Sequence, residues 1–151
     1  MSNRGTAGNV FSITTRGFKA SVLVYSGEYD RVDDAITDKN FPIEEHTLNI
    51  RQIELVEFDH DPSSSEEVLT EFARRELERP TYEDALTFGV SEHHEEQRKH
   101  PVVFLHEPVK VRVLGGGRVV VLYGDAQERN LGLGRFGGWW TRNHVFAGIR
   151  K

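Results

Sequence analysis

Arg129-Asn130-Leu131-Gly132-Leu133-Gly134-Arg135-Phe136-Gly137-Gly138-Trp139-Trp140-Thr141-Arg142-Asn143-His144 is the stretch on which the reading of this chain turns. Strand-like runs bracket it, RVVVLY over Arg118 to Tyr123 and VFAGI over Val145 to Ile149. A core segment would not be so rich in glycine and arginine, and a solvated loop would not hold Phe136, Trp139 and Trp140 together. Aromatic rings beside arginine and asparagine give contact area and forked donors at low entropic cost, which is what a binding surface needs. Strand alternation then divides the stretch. Leu131 and Leu133 point inward, and Asn130, Gly132 and Gly134 point the other way. Adjacent strand residues face opposite sides, so one tryptophan belongs to the core and one to the surface. Trp140 is assigned to the surface. The candidate ligand-binding set is Tyr123, Asp125, Asn130, Gly132, Gly134, Arg135, Phe136, Trp140, Thr141, Arg142, Asn143 and His144.

Outward from there, the chain reads as scaffold. Its 151 residues, 37% hydrophobic and 28% charged, describe one globular domain over 10–151 after a flexible start over 1–9. There is no cysteine, so no disulfide framework, thiolate nucleophile or zinc–thiolate site exists. No signal-peptide core opens the sequence and no apolar run is long enough to span a bilayer, so the expected setting is the cytoplasm, off the membrane. Charge is uneven. Residues 28–99 hold 8 Lys/Arg against 21 Asp/Glu, whereas residues 100–151 hold 8 against 3. The basic excess coincides with the aromatic stretch, which either favours anionic partners or reflects a mutual fit between an acidic helical layer and a basic sheet.

Val10 to Tyr25 is β-branched and apolar, and local propensity predicts strand for both its halves. Glu28-Tyr29-Asp30 and Asp33-Asp34 read as polar turns, and Phe41-Pro42-Ile43 as an extended step. Leu48 to Phe58 is a strand. Ser63-Ser64-Ser65-Glu66-Glu67 opens a helix with a hydroxyl cap and acidic first turn, and Val68, Leu69, Phe72, Ala73 and Leu77 form its apolar face. Pro80 ends it. Thr81 caps a second helix, with Asp84 at the reciprocal position. Three strands follow, VVFL from Val102, VKVRVL from Val109 and RVVVLY from Arg118. The alternation of the middle one puts Val109, Val111 and Val113 inward and Lys110 and Arg112 outward. The Gly115-Gly116-Gly117 turn supplies positive-φ positions. The whole predicts an α+β domain, two helices packed on antiparallel strands.

The segments Gly27 to Asp30, Phe41 to Ile43, Arg79 to Leu86, Gln97 to Val103 and Arg129 to Lys151 together resemble a group of small bacterial proteins, over about residues 17–151. Leu105-His106-Glu107-Pro108 departs from that group's pattern. The Arg79-Pro80-Thr81-Tyr82-Glu83-Asp84-Ala85 helix start and the closing Val145 to Arg150 strand are similar to the C-type lectin-like fold of the formylglycine-generating-enzyme type. A binding stretch just before such a last strand resembles the variable proteins of diversity-generating retroelements. The resemblance implies helix over Phe18 to Ser26 with Gly27 as its C-terminal cap, and a C-terminal strand returning near the first. It also implies a diversified region over 118–145, with Gly132, Gly134, Arg135, Phe136, Gly137, Thr141, Arg142, Asn143 and His144 varying on a framework of Leu131, Leu133 and the tryptophans.

The function expected is therefore non-enzymatic recognition of a protein or other macromolecular ligand, without a cofactor. Asp59-His60-Asp61 carries metal-ligand residue types but reads as a strand end and helix start, and Glu92-His93-His94-Glu95-Glu96 lacks metal-ligand spacing and reads as a solvated polar segment. No nucleophile–base pair or phosphate loop is legible. Nucleic-acid binding is the alternative, since basic and aromatic residues interleave, but the acidic middle opposes it. A purely structural role is the third.

Overall fold

A computed structural model describes residues 10–111 and 115–151. Eight strands, β1 (Val10–Thr15), β2 (Arg31–Val32), β3 (Asn49–Val56), β4 (Leu77–Glu78), β5 (Val102–Lys110), β6 (Gly117–Gly124), β7 (Arg129–Arg135) and β8 (Val145–Arg150), form one sheet. Its order is β1-β3-β8-β5-β6-β7-β2, and β4 also pairs with β8. The helices are α1 (Ala20–Ser26), α2 (Ser65–Arg74), α3 (Tyr82–Val90) and the single turn α4 (Glu96–Lys99). None is long and apolar enough to cross a membrane. The domain is α+β.

One expectation about the sheet needs correcting: it is mixed rather than antiparallel, because β8 lies parallel to β5 and β2 parallel to β7. The last strand returns near the first, with only β3 between them, pairing both β1 and β8. The cause is chain direction. In the meander β5-β6-β7 the first and third strands run the same way. Segment 136–144 must then return across the sheet before β8 can enter, and that return leaves β8 parallel to β5.

Alternation sorts the strands onto two faces. Phe104, Val120, Leu122, Leu131, Ala147 and Ile149 are buried on one face, beneath α1 and α3. Val103, Leu105, Val119 and Phe146 are buried on the other, beneath Val68 and Phe72 of α2, Leu77 and Trp140. We call these the helical face and the crossover face.

The expected strand over the second half of Val10 to Tyr25 is a helix. Ala20 and Leu23 are buried at helical spacing, and α1 packs on α3, so packing overrides β-branched propensity. Gly27 caps α1 with an ordinary right-handed conformation. A Cβ there would stand 2.2 Å from the Tyr29 ring, so close approach is what requires glycine. Ser64 caps α2 through the Glu67 N–H, and Thr81 with Asp84 completes the capping box of α3. Leu77 and Arg79 lie past the end of α2, Leu77 in β4. The VVFL segment and Val109-Lys110, the start of VKVRVL, belong to one strand, β5, with a register shift between Phe104 and Val109, and residues 112–114 of the expected strand lie outside the described residues. Gly115 and Gly116 have φ of 69° and 64°, as the turn requires. The expected flexible start over 1–9, and Arg112 and Val113, lie outside the described residues.

Candidate functional site

α2 and the crossover shield the crossover face over β3, β8 and β5, but leave it open toward β6, β7 and β2. A groove of about 450 Å³ occupies that opening. Its floor is Val121, Gly132 and Gly134, its ends are Tyr123 and Trp140 with His144, and Arg31, Val32 and Asp33 form the far rim. The strand register explains the floor, since Gly132 sits opposite Val121 and Gly134 opposite Val119. Each glycine lies under an aromatic ring. A Cβ on Gly132 would meet the Tyr123 ring at 2.9 Å, and one on Gly134 would meet the Trp140 ring at 3.0 Å and Val121 at 3.2 Å.

Trp140 is fixed from behind. Its Nε1–H donates to Ser65 Oγ at 2.8 Å, and that hydroxyl donates to the Phe136 carbonyl at 2.6 Å. The buried first residue of α2 thus pins the start and the middle of the crossover. The tryptophans divide as expected, one inside and one outside, but the assignment is reversed. Trp140 is 6% exposed, and Trp139 is 95% exposed on the crossover beside it.

The other candidates separate into three kinds. Tyr123, Gly132, Gly134, Trp140 and His144 converge on the groove. Arg135, Thr141, Arg142 and Asn143 are exposed along its crossover side. Arg142 is held by Asp61, which accepts from its backbone N–H at 2.9 Å and from Nε at 3.4 Å, and the Asp61 carboxyl is lowered by that backbone bond first. Thr141 and His144 close a turn, the Thr141 N–H donating to His144 Nδ1 at 3.1 Å. Burial is the main cause that pushes the His144 imidazole below its ordinary value. Phe136 is half-buried, with the Arg79 guanidinium 5.6 Å above its ring.

Asp125 and Asn130 are not brought to the groove. The Asp125 carboxylate accepts from the Gln127 and Glu128 N–H groups at 2.8 and 3.0 Å, which shapes the β6–β7 turn and lowers its pKa. Asn130 is 5% exposed, at the position where β2 pairs with β7, so it is not part of a displayed surface.

Sequence reasoning missed the rim. Arg31 and Val32 fall between the polar turns Glu28 to Asp30 and Asp33-Asp34 with no element of their own, because a two-residue strand carries no period. The Asp30 and Asp33 N–H groups donate to the Arg129 and Leu131 carbonyls, at 2.8 and 2.9 Å, and these bonds tie the rim to β7.

A second cleft, about 660 Å³, lies between Pro42 to His46 and Arg79 to Glu83, with His106 and Glu107 at its end. Two pairs of its charged groups meet within it, His46 with Glu83 at 3.0 Å and Arg79 with Glu107 at 3.0 Å. Among the described residues no group of three His, Asp or Glu side chains could hold a metal ion. His60 places Nδ1 against Asp59 at 2.8 Å and Nε2 against Glu67 at 2.6 Å, so these carboxylates hold the imidazolium and raise its pKa.

No protein-family model matches this chain, and neither a curated protein nor a solved structure shows significant similarity to it.

Proposed function

We propose that this is a non-enzymatic binding protein whose recognition face is the groove over β6 and β7 together with the crossover segment 136–144. The observation that carries the reading is the pairing of Trp139 and Trp140. One anchors the crossover in the core through Ser65, and its neighbour is held 95% exposed beside a groove. Exposing a large ring is unfavourable unless a partner covers it, and an anchored display is pre-organised, which limits the entropy lost on binding. Arg135 at the end of β7 adds an exposed donor four residues before the ring. The partner is a macromolecule, and the cations on this face favour an anionic one.

The proposal extends to kind. A capped helix after an Arg-Pro-Thr step, and a last strand inserted near the first, support a C-type lectin-like domain of the retroelement-diversified sort. The positions best placed to vary are the exposed Arg135, Gly137, Thr141, Arg142 and Asn143. Gly134 is the position least free to vary, because Trp140 lies on it.

The test combines Arg135→Ala, Trp139→Ala and Asn143→Ala, all at exposed positions, in a tagged chain expressed in its native cell. Unfolding stability stays within about 0.5 kcal/mol of the parent, the range usual for surface substitutions. Proteins that copurify with the parent are lost from the variant. An unchanged set of copurifying proteins contradicts the proposal.

A further inference from the structure

We infer that the groove takes an extended acidic peptide segment of a partner protein, added to β7 as a strand in line with β2. The inference rests on the binding role proposed above and names its ligand class. It begins from which way the backbone of β7 points. The Arg129 and Leu131 carbonyls accept from Asp30 and Asp33, on the β2 side. Odd-numbered residues of β7 therefore turn their N–H and C=O groups toward β2, and even-numbered ones turn them toward β6. β2 pairs only with Asn130 and Leu131, and the chain leaves the sheet at Asp33. Among the described residues no strand pairs with that side of β7 from Gly132 to Arg135. Leu133 carries the next N–H and C=O along the open edge, and strand edges of this kind are templates for another chain.

The surroundings suit such a guest. Gly132 and Gly134 put no side chain on the groove floor, and the Tyr123 and Trp140 rings lie over them instead. The edge from Gly132 to Arg135 spans roughly 13 Å, and its outward groups are the Leu133 N–H and C=O and the Arg135 N–H, the Arg135 carbonyl already accepting from the Gly138 N–H at 2.9 Å. The acidic character follows from the rim charges. Arg135 is exposed and makes no ion pair among the described residues. The Arg31 side chain is 76% exposed and touches Glu128 only at 3.4 Å. The one carboxylate on the rim, Asp33, is engaged locally, accepting from the Ala35 N–H at 2.9 Å. A strand guest exposes alternate side chains to the groove, where the Tyr123 and Trp140 rings meet them.

The test pans the full chain against a displayed library of random heptapeptides. Recovered peptides are resynthesised with N-methyl groups on either the odd or the even residues. The inference predicts recovered sequences rich in Asp and Glu. It predicts about a tenfold or greater loss of affinity for one N-methyl parity and little for the other, because only one set of amides faces β7. Exchange of the Leu133 N–H slows at least about tenfold when peptide is bound. Arg135→Glu weakens binding about fivefold or more without moving the thermal midpoint. Equal sensitivity to both parities, unchanged exchange at Leu133, or a chain that instead dimerises through this edge would each overturn strand addition. Peptides that need Trp139 and His144 but leave Leu133 exchange unchanged overturn the inference alone. Peptides indifferent to the whole 123–144 face overturn the binding role as well.

Discussion

Arg129 brings a full positive charge inside at 7% exposure. Its Nη1 donates to the Gly27 carbonyl at 2.7 Å, and its Nη2 donates to the Gly89 carbonyl at 2.7 Å and to Gln97 Oε1 at 3.2 Å. The first two carbonyls lie at the C-terminal ends of α1 and α3, where the helix dipoles favour a cation. The guanidinium also lies 4.8 Å over the Tyr29 ring, and burial raises that phenol to about 12. Arg129→Met keeps the stem but leaves three acceptors without their donor, and is expected to cost about 3 kcal/mol in urea unfolding. A loss under about 1 kcal/mol would show that water replaces the guanidinium. His106 is the second such residue. Its Nε2 accepts from the Val120 N–H at 3.0 Å and its Nδ1 donates to the Glu107 carbonyl at 2.7 Å, so the ring is neutral and bridges the irregular turn of β5. Burial, chiefly, pushes it down to about 4. The unfolded chain takes up this proton near 6.5 and the folded chain only near 4, so the unfolded state binds more protons between those values. Stability is therefore full above pH 6.5 and falls as pH drops through that window, by about 3 kcal/mol. His106→Gln, which retains one donor and one acceptor, should flatten that segment of the stability–pH curve. An unchanged slope would mean other groups carry it.

Elements show where the sequence was legible and where it was not. The caps of α2 and α3 were readable because they are local: a hydroxyl, a carboxylate three residues on, and a proline before. β7 was readable because Leu131 and Leu133 alternate with small or polar residues. α1 was not, since Val22 and Val24 carry strand propensity and only contact with α3 makes the segment helical. β2 was not, because two residues hold no pattern. The identity of the buried tryptophan was also hidden, because it depends on Ser65, 75 residues away in sequence. The glycine floor gives a prediction at this scale. Gly134→Ala presses a methyl between Trp140 and Val121, and overpacking against a pinned ring is expected to cost about 1–3 kcal/mol. Gly132→Ala meets only the Tyr123 ring, which is 40% exposed and can swing outward, so it should cost less than about 1 kcal/mol. Equal costs would show that Trp140 is not pinned.

Across the whole molecule, the helical face is closed by α1 and α3, while the crossover face is covered over half its width. The chain's single return from β7 to β8 both fills the second core with Trp140 and lifts Trp139 into solvent. On the proposed binding role, stability and recognition fall to neighbouring residues of one segment. The composition already located the basic, aromatic surface in the last third of the chain; the topology that aims it was not readable, because it arises from strand order. The most direct measurement is backbone amide hydrogen exchange of the full chain, free and bound to the partner that copurifies with it. The account predicts slowed exchange over Leu131–Arg135 and Trp139–His144. Slowing confined to the cleft between Pro42 and Glu83, or to α1 and α3, would contradict it.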